Sequence, residues 1–191
     1  MALRRRTLPS GFTLPSIHSL HPFFTHQTVP TTLAVQTEHW TRLILSYARH
    51  ARLFTLGVED ADLKTGPWAD ILYNPEIARS VKPAHLESLI ATLVAQGKAY
   101  YDPPKQTRTV LLLWRTLDEW AEVLFTWASD TGQLNTILTF YEIQEPELKS
   151  ELSGIPTPLL RRAIQALIKS SRAQLIDGTE GGGVRIFAST R

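Results

Sequence analysis

Apolar residues recur at helical spacing over Glu38–His50, where Trp40, Leu43, Ile44, Tyr47 and Ala48 fall on one face and Thr37 is placed to cap the start. Leu53–Val58 follows as an alternating, β-rich strand. The same set returns 80 positions later as Trp120, Val123, Leu124, Trp127 and Ala128. Asp118 opens this second helix near its positive end, Gly132 ends it, and Asn135–Ile143 reads as a strand.

A second block repeats at an offset of 74: Ile90, Leu93, Val94, Lys98 and Ala99 match Ile164, Leu167, Ile168, Arg172 and Ala173. Pro83 precedes the first of these helices, and Pro156 and Pro158 the second, as expected of prolines in a first helical turn. Each helix leads into two short strands, Ala99–Asp102 with Thr109–Trp114 and Ala173–Asp177 with Val184–Phe187. Asp177–Gly183 has the composition of a hairpin tip. Small middle helices are expected near Pro75–Val81 and Pro146–Leu152. Helix, strand, helix, helix, strand, strand therefore occurs twice, which is the winged-helix order. The predicted fold is α+β, mostly α: an extended N-terminal arm (1–36), a first winged-helix domain (37–115) and a second (116–191).

Composition narrows the chemistry. No run of about 18 apolar residues exists, so no membrane-spanning helix is expected. The chain has 191 residues and no Cys, which removes disulfides, thiolate catalysis and Cys-bearing zinc sites. The sequence pI is about 9.0, yet the formal net charge is only +2, divided as +3 over residues 1–37, +2 over 38–115 and −3 over 116–191. The first segment holds Arg4, Arg5, Arg6 and no acid. Such a start resembles a mitochondrial transit peptide, but Pro9, Pro15, Pro22 and Pro30 oppose the amphipathic helix a presequence needs. No apolar h-region follows, which argues against a secretory signal. The apolar units Leu14, Ile17, Leu20, Phe23 and Phe24, spaced by prolines and polar residues, suit a stiffened docking arm with Phe23 and Phe24 as anchors. The alternative is an arm folded back over its own first repeat.

Most catalytic candidates fail. His18, His21 and His26 lack clustered carboxylates to complete a metal site. Asp118 and Glu119 are adjacent on a helix and point apart. The Gly181–Gly183 run lacks the Lys-Ser/Thr of a phosphate loop. The chain is expected to be neither an enzyme nor a cofactor or metal binder. Nucleic-acid binding is the alternative reading, since helix 158–172 carries Arg161, Arg162, Lys169 and Arg172, with Arg185 near the wing. The surrounding unit is acidic, through Glu142, Glu145, Glu147 and Glu151, and repels phosphate.

From about Leu14 to Phe187 the chain resembles the family of the ESCRT-II complex small subunit, vacuolar protein sorting-associated protein 25. The resemblance is carried by the arm run Pro15-Ser-Ile17-His18 and His21-Pro22-Phe23-Phe24-Thr25-His-Gln27, by Trp40 with Leu43–Tyr47, and by Asn74 with Ile77 and Arg79–Val81. Trp114, Leu117, Trp120, Gly132, Asn135, Tyr141-Glu142 and the ending Gly183–Phe187 extend it. The resemblance implies a non-enzymatic scaffold of two winged helices in which arm and first unit dock on the two larger sister subunits. The small subunit would be present in duplicate. The second unit would recruit an ESCRT-III subunit, through residues the sequence leaves unknown, in sorting ubiquitinated cargo into multivesicular endosomes. Localisation would be cytoplasmic, with indirect recruitment to the endosomal membrane through the complex. Carried over by position, the docking residues are Pro15, Ile17, Pro22, Phe23 and Phe24. Ser16 and His21 stand where the family has prolines, His18 replaces an aromatic, and Glu151–Gly154 is a shortened loop.

Overall fold

The computed structural model of the chain describes residues 5–176 and 183–188. Two compact units divide it, Met1–Trp114 and Arg115–Arg191.

The first unit opens with a hairpin, β1 (Arg6–Thr7) against β2 (Thr13–Leu14). A 3-10 turn over Ser16–Ser19 and a one-turn helix, α1 (His21–Phe24), follow. Helix α2 (Pro30–Ala51) comes next, then β3 (Thr55–Gly57), α3 (Ala69–Leu72), and a small hairpin of β4 (Tyr73–Asn74) and β5 (Arg79–Ser80). Helix α4 (Pro83–Ala95), β6 (Ala99–Tyr101) and β7 (Thr109–Leu112) complete the unit. Its sheet has the order β3-β7-β6, all antiparallel, so Val110 pairs with both Leu56 and Tyr101.

The second unit repeats that plan: α5 (Leu117–Asp130), β8 (Ile137–Thr139), α6 (Phe140–Gln144), α7 (Thr157–Lys169), β9 (Ala173–Ile176) and β10 (Gly183–Ile186). Its sheet order is β8-β10-β9, and Val184 pairs with Leu138 and Leu175 as Val110 does with its neighbours. The repeat read from apolar spacing is therefore structural. Trp40 and Trp120, Ile44 and Leu124, Ala48 and Ala128, Ile90 and Ile164, Leu93 and Leu167 are all fully buried. The chain turns alike after α4 and α7, through positive φ at Gly97 (+68°) and Ser171 (+58°).

Several boundaries differ from expectation. Helix α2 begins at Pro30 instead of near Thr37, because a proline at the first position has its φ preset and needs no donor there. The middle helices lie at Ala69–Leu72 and Phe140–Gln144, not at Pro75–Val81 and Pro146–Leu152. In the second unit a capping box cuts the expected strand short. The Glu142 N–H donates to Thr139 Oγ1 at 3.2 Å, and the Thr139 N–H to Glu142 Oε2 at 2.7 Å. In the first unit Asn74 accepts from the Glu76 N–H at 3.0 Å and turns Pro75–Ala78 into a hairpin loop. Of the expected tip Asp177–Gly183, residues 177–182 lie outside the described residues.

The arm differs most. It is not extended and separate but is built into the first unit. Leu8, Leu14, Phe23 and Phe24 belong to the same buried cluster as Trp40, Ile71 and Leu86. The apolar groups that prolines were expected to hold out for a partner instead find a complementary surface on their own chain, where each Å² of apolar area taken out of water stabilises the unit by about 25 cal/mol.

Candidate docking surfaces

Trp40 organises the arm's seat. The Phe23 ring stacks on it with centroids 4.2 Å apart and planes 6° from parallel, while Phe24 meets it edge-on at 5.5 Å. The Trp40 indole N–H donates to the Phe23 carbonyl at 2.9 Å. One turn earlier, Gln36 is buried and reaches back with its amide: Nε2 lies 3.0, 2.9 and 2.8 Å from the carbonyls of Pro22, Phe23 and Thr25. Its Oε1 accepts from the Gln27 N–H at 3.3 Å. These bonds satisfy backbone groups that a helical turn as short as α1 leaves open.

His18 fixes the other end. Its Nε2 lies 2.9 Å from the Ile71 carbonyl, which only accepts, so Nε2 carries the proton. Asn74 Nδ2 donates to the His18 carbonyl at 2.8 Å. Burial holds the His18 imidazole below its ordinary value of 6.5, with the Ile71 bond opposing and Arg6 assisting.

Of the five sequence-derived docking residues, Phe23 and Phe24 are 2% and 4% exposed. In the chain by itself both are interior residues of the first unit. Pro15 and Ile17 are half-buried and Pro22 is exposed. Apolar side chains that do face solvent here are Leu20, Val29 and Val35. Gln36 was missed because it falls before the expected helix start at 37, although it continues the Trp40 stripe by one turn.

In the second unit the largest exposed apolar groups are Leu148 (81%), Tyr141 (72%) and Ile137 (59%). Leu148, Trp127, Leu138 and Pro146 line an open groove of about 350 Å³ together with Glu142, Glu145 and Glu147. Its lining thus combines apolar side chains with three carboxylates. The sequence signal for it is the acidic run Glu142, Glu145 and Glu147, which also repels phosphate.

The basic stretch expected as helix 158–172 ends as a helix at Lys169, and its arginines support their own unit. Arg172, beyond the helix, pairs with Glu122 and lies 5.0 Å over the Phe125 ring, and Arg161 on α7 lies 4.7 Å over Phe140. Nucleic-acid binding is not favoured. Among the described residues no group of three or more His, Asp or Glu side chains is placed to hold a metal ion. His18 is buried, whereas His21 and His26 are exposed and His26 meets His85 edge-on at 5.2 Å. No helix among the described residues is long and apolar enough to cross a membrane.

Comparison with known proteins gives a consistent result. A family model described as ESCRT-II complex subunit matches residues 17–156. Vacuolar protein-sorting-associated protein 25 of Dictyostelium discoideum is 31% identical over 192 residues, covering 93% of this chain and 97% of the relative. The Danio rerio protein of the same name is 30% identical, covering 93% and 99%. Among solved structures, the VPS25 subunit of the endosomal trafficking complex ESCRT-II superposes with a TM-score of 0.78 at 24% identity, over 91% of this chain and 98% of that one. A crystal structure of the endosomal complex ESCRT-II (VPS22/VPS25/VPS36) gives 0.76 at 24% identity, with coverages of 91% and 98%. At that identity the structures speak to the fold, which they share with this chain.

Proposed function

The chain belongs to the family of ESCRT-II complex subunits, and from that premise we propose that it is a non-enzymatic structural subunit of an ESCRT-II assembly in endosomal trafficking. The observation that carries this reading is the extent of the likeness: it begins in the arm, runs through the first unit and continues into the second. Its partners are then the counterparts of VPS22 and VPS36, with which VPS25 is assembled in the solved complex.

The folded arm is a preformed platform for those partners. Pro15, Ile17 and Pro22 contribute surface, with Leu20 beside them, while Phe23 and Phe24 act from beneath by fixing the backbone on Trp40. A pre-ordered platform loses less conformational entropy on docking than a free arm. The second unit's groove takes the ESCRT-III partner. A lining of apolar side chains and three carboxylates fits an amphipathic helix with a basic edge. Recruitment from cytoplasm to the endosomal membrane is indirect, through the assembled complex.

Co-expression with the two larger subunits of the same organism tests the assignment. Native mass spectrometry should show one complex holding two copies of this chain; recovery of this chain free of both subunits would reject it. Leu20→Asp should weaken that assembly at least tenfold. Leu148→Asp should leave it intact and abolish ESCRT-III capture.

A further inference from the structure

His18 is a titratable group sealed into the seat of the arm, with only 2% of it exposed. It lies between two different surroundings. On one side stand the uncharged rings of Phe24 at 5.0 Å, Phe23 at 6.2 Å and Trp40 at 6.5 Å. On the other is a cavity of about 310 Å³ under the β1–β2 hairpin, lined by Arg5, Arg6, Asn74 and Glu76 among others. His18 itself lines that cavity, which is the side from which a proton can reach the ring.

The local hydrogen bonds accept only one protonation state. Nε2–H is committed to the Ile71 carbonyl, and Nδ1 faces Asn74 Nδ2 at 3.4 Å. The amide of Asn74 cannot turn round to offer its oxygen. Its NH₂ is held by the His18 carbonyl at 2.8 Å and its Oδ1 by the Glu76 N–H at 3.0 Å, so a flip would lose both. A proton on Nδ1 therefore sets two donors face to face inside the core.

The charges around the ring do not rescue that state. Arg6 on β1 opposes a cation, Glu76 in the β4–β5 loop favours one, and the two form an ion pair with each other at 3.6 Å. Arg5 adds a second guanidinium to the cavity. The helices α1 and α2 present only aromatic rings.

We propose that the arm segment 15–24 is an acid-released latch, held on the first unit by neutral His18 and freed when His18 takes a second proton. Release uncovers Phe23, Phe24 and Trp40 and dismantles the docking platform. The latch is a property of the chain alone and stands whether or not the partner assignment above is correct.

The sign follows from linkage. In a released arm the imidazole titrates near 6.5, and in the docked arm it titrates lower. Docking is therefore undiminished above pH 6.5 and weakens as pH falls below it. Between pH 7.5 and pH 5.0 the docked-to-released ratio drops by up to about thirtyfold, the limit reached when the docked ring never protonates in that range.

Hydrogen–deuterium exchange on the full chain reads this directly, with rates corrected for intrinsic pH dependence and α7 of the second unit as reference. Opening of residues 15–24 should rise at least tenfold from pH 7.5 to 5.0 in the native chain and less than threefold in His18→Phe. His85→Leu removes the other buried imidazole of this unit, which meets His26 at 5.2 Å and Trp40 at 6.4 Å, and should keep the native rise over residues 15–24. A native-like rise in His18→Phe, or its loss in His85→Leu, would overturn the proposal. If His18→Phe does not fold, an NMR titration of the native His18 ring decides. Titration at or above pH 6.5 refutes the latch, and titration below it together with loss of the arm's amide signals supports it.

Discussion

Replacing Phe23 by alanine separates an interior ring from a presented one. The ring is 2% exposed, stacks on Trp40 at 4.2 Å and packs edge-on against Phe24 at 5.7 Å. Phe→Ala changes in cores cost about 3–5 kcal/mol, and an aromatic pair adds about 0.5–1.5 kcal/mol to burial alone. The arm lies at the rim of its unit and can partly collapse into the space, which puts this case at the low end, about 3 kcal/mol. Urea unfolding of the isolated chain is the assay, followed by tryptophan fluorescence and circular dichroism. With a slope of about 1–3 kcal/mol per molar, the first unit's midpoint should fall by roughly 1–3 M. The second unit contains no part of this contact and serves as an internal reference. A midpoint unchanged in the first unit, with partner affinity lost, would mean that Phe23 is an exposed anchor after all and would refute the packing argument.

Thr116→Ala removes the cap of α5, where Thr116 Oγ1 accepts from the Glu119 N–H at 3.1 Å, and should cost the second unit about 1 kcal/mol, read as a lower thermal midpoint for that unit alone. His85→Leu should stabilise the first unit, more at pH 5 than at pH 8. Both His85 ring nitrogens are buried without a hydrogen-bond partner, and burial, with His26 adding to it, pulls the imidazole down to about 4. Its unfolded value is near 6.5, so the native chain loses stability as pH falls from about 6.5 to 4, and thermal melts across that window should be flatter in the variant.

Periodicity revealed the scaffold because the two helix stripes and both third helices bury equivalent residues, as Ile90 and Ile164 do at zero exposure. It placed the ends of elements less well, because ends are set by single side chains. Pro30 starts α2 among β-branched residues that do not look helical, and Thr139 with Glu142 starts α6 inside an apolar run suited to a strand. The arm's apolar content was visible, but its destination was not. Nothing in a local pattern says whether Phe23 will meet a partner or Trp40, since that depends on a groove formed 17 residues away by a helix whose first two turns had not been recognised. His18 and Asn74, 56 residues apart, show the same limit. A buried His–Asn contact leaves no periodic trace.

The two tryptophans at equivalent helix positions show how one pattern acquires two functions. Trp40 and Trp120 are both fully buried. Trp40 is covered by a segment that comes before its helix, the Phe23–Phe24 pair of the arm. In the second unit only Arg115 and Thr116 precede α5, too short a stretch to return over the helix. There the Arg115 guanidinium lies 5.3 Å over the Trp120 ring, and it is paired with Glu151, from the loop before α7. A cation held by a carboxylate in the second unit stands where aromatic stacking serves in the first. The first unit's interior is consequently incomplete without its arm, and the docking proposed for the arm is left the outer side of residues 15–22, since the inner side is committed to the core.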